Sequence, residues 1–115
     1  MTLSFGNITI DSIDAAKLAA FWSALLGRPV APGADENIAS IGPADASPSL
    51  TFLKVPDKGT GKNTMHIDLV AEDLTAQIAR AVDLGAEHVN DFDEYGAKWA
   101  TLSDPEGNLF DIVAG

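Results

Sequence analysis

The chain has 115 residues, 46% of them hydrophobic and 21% charged, which is one soluble domain's worth of core and too little for two independent ones. It contains no cysteine, so disulfides, thiolate metal sites and a cysteine nucleophile are excluded. Seventeen acidic residues against seven basic give a net charge of −10, a field that repels nucleic acid and anionic membranes.

In chain order, residues 5–10 (FGNITI) alternate as a half-buried strand does, with Asn7 and Thr9 on one face and Ile8 and Ile10 on the other. A helix follows, with Asp14 as N-cap. Leu18, Phe21, Trp22, Leu25 and Leu26 form its apolar stripe, which places Trp22 in the core. Gly27 suits the left-handed cap, and Pro29 prevents continuation. Residues 30–36, with Pro32 and Gly33, read as a long and mobile loop. Residues 37–41 and 49–55 read as strands around a turn region at 42–48.

Residues 54–63 (KVPDKGTGKN) form the natural linker, and the same order then repeats. Residues 65–70 (MHIDLV) alternate, with His66 and Asp68 on one face and Ile67 and Leu69 on the other. Asp73 caps a second helix whose stripe is Leu74, Ile78, Ala81 and Val82, and Gly85 closes it. Glu72 and Asp73 are helix N-terminal charges that favour the dipole. Strands are expected at 87–89, 99–103 and 109–114, the last two joined by a turn at Asp104-Pro105-Glu106-Gly107. Asn7 precedes Asp14 by seven residues and His66 precedes Asp73 by seven, so periodicity and spacing both indicate duplication.

The second half, TMHIDLVAEDLTAQIARAVDLGAEHV followed by WATLSDPEGNLFDIV, resembles the glyoxalase/bleomycin-resistance/extradiol dioxygenase superfamily, also called vicinal oxygen chelate. FWSALLG is similar to that superfamily's first helix, and GKNTMHIDL with DPEGN looks like its small glyoxalase-like domain branch. The resemblance implies an α+β fold: two βαβββ modules, about 1–58 and 62–115 of a single domain, forming a curled mixed sheet. That sheet makes a half-barrel around a cavity, with helices outside. Homodimers are frequent among such proteins.

In the superfamily's metal enzymes, one residue from the first strand and one from the last strand of each module hold a divalent ion. These positions fall on Asn7, on His66, on Asp111 and near Phe52 or Leu53. No residue from 49 to 55 is a carboxylate, amide or imidazole, so the set is incomplete. An amide oxygen, one imidazole and one short carboxylate make a weak mixed site. No cofactor is therefore fixed, and a divalent metal is the candidate. The other histidine, His88, falls past the second helix, at the far rim.

The reading preferred here is a small organic ligand bound in the inter-module cavity, lined by Asn7, Thr9, His66, Asp68, Trp99 and Asp111. His66, with Asp68 two residues on, is the one candidate for acid–base catalysis. Trp99 offers an aromatic wall, Tyr95 a group that closes over a ligand, and Lys62 with Asn63 a brace between halves. The alternatives are a metal-dependent lyase, isomerase or dioxygenase, and a regulatory domain without a ligand. No basic region precedes an apolar run at the start and no stretch approaches the length of a membrane helix, so a cytoplasmic location is expected.

Overall fold

The computed structural model describes residues 7–42, 48–56, 66–94 and 96–115. Phe5, Lys62, Asn63, Met65 and Tyr95, and most of the expected linker, lie outside the described residues. The fold is α+β, and the chain divides into two compact units, Met1–Gly59 and Thr60–Gly115.

In the first unit, β1 (Asn7–Ser12) leads into α1 (Ala15–Leu26), followed by β2 (Ile38–Ile41) and β3 (Ser49–Lys54). The Asp14 side chain accepts from the Lys17 amide, and Gly27 at φ 68° terminates the helix with its N–H on the Ser23 carbonyl. Both caps therefore stand where side-chain chemistry and the absence of a Cβ require them. The sheet order is β1-β3-β2, with β1 parallel and β2 antiparallel to β3. Helix α1 packs on β2 and β3. The apolar stripe is buried there with Ala39, Ile41, Leu50 and Phe52, and Trp22 is 2% exposed.

Two expectations for this unit change. The segment 30–36 is tied down at several points. Val30 bridges Ile41, the Ala31 amide donates to Ser40, the Glu36 carbonyl accepts from Ala15, and Asp35 accepts from the Asn37 and Ile38 amides. That lone Val30 bridge also stands in place of a full third strand after the helix. Pro29 and Pro32 flank it without an N–H to donate, so a ladder cannot extend in either direction. Arg28, which carried no signal in the sequence, donates through Nη2 to the carbonyls of Gly42 and Pro48 and so fastens Gly42 to Pro48.

The second unit runs β4 (Ile67–Ala71), α2 (Leu74–Leu84), β5 (Glu87–Glu94), β6 (Ala97–Ser103) and β7 (Leu109–Ala114), in sheet order β4-β7-β6-β5. Here β4 is parallel to β7, and the other pairs are antiparallel. Asp73 caps α2 by accepting from the Ala76 amide, and Gly85 at φ 121° donates to the Ala81 and Val82 carbonyls. The apolar stripe of α2 is less covered than its periodicity predicts: Ala81 is buried but Val82 is 44% exposed. Ala100, Leu102, Phe110 and Ile112 are buried. They alternate along β6 and β7 with residues of the opposite face, as a half-buried pleated sheet requires.

Strand β5 is the largest departure. It extends through Glu94 where a strand of three residues was expected, and every residue along it but Phe92 is exposed. The sequence EHVNDFDE lacks apolar alternation, so pairing with β6 sets this strand, and Gly96 at φ 74° turns the chain between them.

The turn after β6 is built on Asp104, which is 4% exposed. Its carboxylate accepts from the amides of Glu106 and Asn108 and from the Asn108 side chain, while its carbonyl accepts from the Gly107 amide. Gly107 sits at φ 84°, a conformation that favours glycine.

Candidate active site

One face of the second sheet carries a polar cluster. His66 immediately precedes β4, and Asp68 on β4 is the parallel partner of Asp111 on β7. Thr101 on β6 is the antiparallel partner of Asp111. Pairing therefore brings one side chain from each of three adjacent strands to one place, all on the face turned away from Phe110 and Leu102.

The bonds within the cluster are short. His66 Nδ1 lies 2.7 Å from Asp68 Oδ1 and 3.8 Å from Asp111 Oδ2. Thr101 Oγ1 donates to Asp111 Oδ1 at 2.7 Å. With Asp68 as acceptor, Nδ1 is the donor of that bond, which leaves Nε2 as the ring nitrogen not engaged by Asp68. Asp111 is the most sheltered of the three, its side chain 19% exposed.

Beside this cluster lies a cavity of about 310 Å³, lined by His66, Val89, Asn90, Phe92, Trp99, Thr101, Leu109 and Asp111. Its aromatic wall is a cross-strand pair: Phe92 and Trp99 stand opposite each other on β5 and β6. Their rings stack at 5.1 Å with an interplanar angle of 13°. A shift of register between His88 and Asn90 leaves Val89 without a partner across the ladder. That bulge puts Asn90 and Phe92 on the cavity face with Thr101 and Trp99, while His88 pairs with Leu102 on the other face. His88 Nε2 lies 2.7 Å from Asp91 Oδ1, so it belongs to a separate surface pair.

Of the residues singled out from sequence, His66, Trp99 and Asp111 line this cavity, and Asp68 adjoins it through His66. Asn7 and Thr9 belong to the first unit, where Asn7 is the centre of a different network. Its Nδ2 donates to Thr9 Oγ1, and its Oδ1 accepts from both Ser49 and Thr51 at 2.9 Å. Those two bonds occupy both lone pairs of the amide oxygen. The register also moves the fourth corner of the expected quartet. Thr51 pairs with Thr9 as Asp111 pairs with Asp68; of the two residues expected at that corner, Phe52 is fully buried in the core and Leu53, 42% exposed, pairs with Asp11.

Phe92, Val89, Asn90 and Leu109 are cavity residues that sequence reading missed. A signal for Phe92 existed: Glu94 pairs with Ala97 about a turn containing Gly96, and Phe92 and Trp99 are equidistant from that turn.

His66, Asp68 and Asp111 also meet the elementary requirement for an ion site. One donor atom from each lies within 4.8 Å of the others. One imidazole and two carboxylates suit a borderline or hard divalent ion better than the amide-containing set read from sequence.

The glyoxalase-like domain model matches residues 7–113. The chain belongs to the glyoxalase-like domain family. No curated protein matches it in sequence. Among solved structures, a glyoxalase/bleomycin resistance protein/dioxygenase family enzyme from Burkholderia phytofirmans PsJN is similar, with a TM-score of 0.82 at 15% identity. The match covers 97% of this chain and 98% of that one. A glyoxalase-related enzyme from Fulvimarina pelagi gives 0.76 at 16% identity, over 99% and 89% of the two chains. A lactoylglutathione lyase from Agrobacterium tumefaciens gives 0.70 at 12%, over 100% and 96%. These likenesses show the shared fold. No helix among the described residues of this glyoxalase-like chain is long and apolar enough to cross a membrane.

Proposed function

We propose that this glyoxalase-like protein binds a small organic ligand in the cavity of its second module. The observation that supports this most is the cavity's composition. Val89, Phe92, Trp99 and Leu109 give it apolar walls, and His66, Thr101 and Asp111 converge at its polar side. A cavity of about 310 Å³ with a few convergent polar groups is the usual form of a small-molecule site. Apolar walls supply most of the binding free energy, while His66 Nε2, with Nδ1 held by Asp68, orients the ligand. Where the ligand carries an exchangeable proton, the same Nε2 is placed to accept it.

A second reading, a divalent-metal enzyme, is favoured by the convergence of His66, Asp68 and Asp111. The three would hold the ion, and the ion would supply Lewis acidity towards a chelating oxygen. In that reading Asp111 keeps its bond from Thr101, which fixes the carboxylate's orientation. Asn7, its oxygen already accepting two hydroxyls, is not needed.

The test combines a ligand screen with metal analysis. Ligands that enter the cavity change the emission of Trp99, and the Trp99→Leu variant loses that response. A screen in which every binder acts equally on wild type and Trp99→Leu overturns the cavity reading. Elemental analysis of protein purified without chelator, then dialysed against zinc, decides the second reading. One equivalent of zinc that His66→Ala fails to retain supports it, and none retained overturns it.

A further inference from the structure

We propose that the ligand of the second-module cavity presents a cis-amide edge, as a lactam ring or a primary amide does, to a matched pair of residues on neighbouring strands. Its N–H would donate to Thr101 Oγ1, and its carbonyl would accept from Asn90 Nδ2. This rests on the cavity being a ligand site and names the polar chemistry of its occupant. Three observations carry it.

The first is the direction of the Thr101 hydroxyl. Thr101 lines the cavity, and its Oγ1 donates to Asp111 Oδ1 at 2.7 Å. A hydroxyl has one proton, so that proton is spent on the carboxylate and only lone pairs remain for a ligand. Asp111 thereby turns a side chain able to give or take a hydrogen bond into a fixed acceptor.

The second is the orientation of the Asn90 side chain, which also lines the cavity. Its Oδ1 accepts from the Asp91 amide at 2.9 Å. A backbone N–H is received by an oxygen and not by an NH2 group, so this bond tells the two ends of the Asn90 amide apart. Nδ2 has no partner among the described residues. A donor in want of an acceptor therefore stands beside an acceptor in want of a donor.

The third is their adjacency. Asn90 and Thr101 are direct antiparallel partners on β5 and β6, and the register shift after His88 makes them so. Without it Val89 would stand opposite Thr101, and no donor would face the hydroxyl. Residues directly opposed on one face hold their Cβ atoms about 4.5–5.5 Å apart, so one rigid edge reaches both. A secondary amide in an open chain is trans and points its N–H and C=O in opposite directions, whereas a lactam or primary amide sets them side by side. The order also agrees with charge. The ligand N–H lies on the side of Asp111, and the electron-rich carbonyl lies towards β5, away from that carboxylate.

Three uncharged bicyclic probes test this: 2-quinolone, a lactam; N-methyl-2-quinolone, which keeps the carbonyl and lacks the N–H; and tetrahydroquinoline, which keeps an N–H and lacks the carbonyl. Equilibrium dialysis in neutral buffer measures each against wild type, Asn90→Asp, Thr101→Val, Thr101→Ser and Trp99→Leu. Asn90→Asp keeps an oxygen for the Asp91 amide and exchanges only the donor for an acceptor. Wild type should bind 2-quinolone about tenfold tighter than either analogue. Thr101→Val should abolish its advantage over the N-methyl analogue, and Thr101→Ser should retain it. Asn90→Asp should abolish its advantage over tetrahydroquinoline.

Equal binding of the three probes, or preferences that persist unchanged in Thr101→Val and Asn90→Asp, overturns the assignment. Failure of 2-quinolone to bind folded wild-type protein overturns it too. The cavity reading is decided separately: it stands where Trp99→Leu weakens the probes that bind, and it falls where Trp99→Leu leaves every one of them unchanged.

Discussion

Thr51 and Asp111 occupy the same register position in their two modules: Thr51 is the parallel partner of Thr9, as Asp111 is of Asp68. The duplication thus carries two chemistries on one scaffold. In the first module the position belongs to a neutral network in which Ser49 and Thr51 donate to Asn7 and Ser40 lies 3.2 Å from Thr51. In the second it belongs to His66, two carboxylates and Thr101. Neutral hydroxyls satisfy one another, whereas two adjacent carboxylates favour a cation between or beside them.

Zinc affinity should therefore separate the modules. His66→Ala and Asp111→Asn are expected to lower it by about tenfold or more, as loss of a ligand or its support does. Asn7→Ala should leave it unchanged. Chelator-competition titration measures each variant, and an equal loss in Asn7→Ala would show that the amide also serves as a ligand.

Asp104 organises the turn between β6 and β7 by accepting from two backbone amides and the Asn108 side chain while nearly fully buried. Replacement by alanine leaves those donors unpaired in a sheltered place, at about 1–3 kcal/mol for a buried unsatisfied group. Asp104→Ala should thus lose about 2–4 kcal/mol in urea denaturation, with the slope unchanged. Asp104→Asn retains one oxygen acceptor and should lose less. Equal losses would mean that charge, and not hydrogen bonding, holds the turn.

The sequence reading succeeded where local chemistry is self-contained. Asp14 and Gly27 bound α1 because a cap needs only a side-chain oxygen or a missing Cβ at the right step. The seven-residue spacing to each cap revealed the repeat, and the alternation around His66 and Asp68 placed both on one sheet face. What it missed depended on pairing between distant segments. Strand β5 has no periodicity of its own, so Phe92 and the bulge at Val89 became visible only once β6 fixed their register. The fourth quartet position, expected near Phe52 or Leu53, was hard to fix for the same reason, since strand pairing sets Thr51 opposite Thr9 and a one-residue slip sends a side chain to the other face. Val82 followed helical period, yet the cover for that part of α2 is not encoded in the helix itself.

The Phe92–Trp99 stack should also decide how firmly β5 is held. This edge strand is exposed along nearly all its length, so its pairing with β6 draws little from burial. Aromatic pairs contribute about 0.5–1.5 kcal/mol beyond the area they bury. Phe92→Leu keeps an apolar side chain of similar bulk and removes the stack. The β5 amides bonded to β6 are then expected to exchange hydrogen about two- to twelvefold faster, as that free energy implies for local opening. Amides shared by β6 and β7 should keep their protection. If those accelerate as much as the β5 amides, the second sheet opens as one unit and the stack contributes to global stability. If neither set changes, the bulge and the Gly96 turn are sufficient to hold the strand.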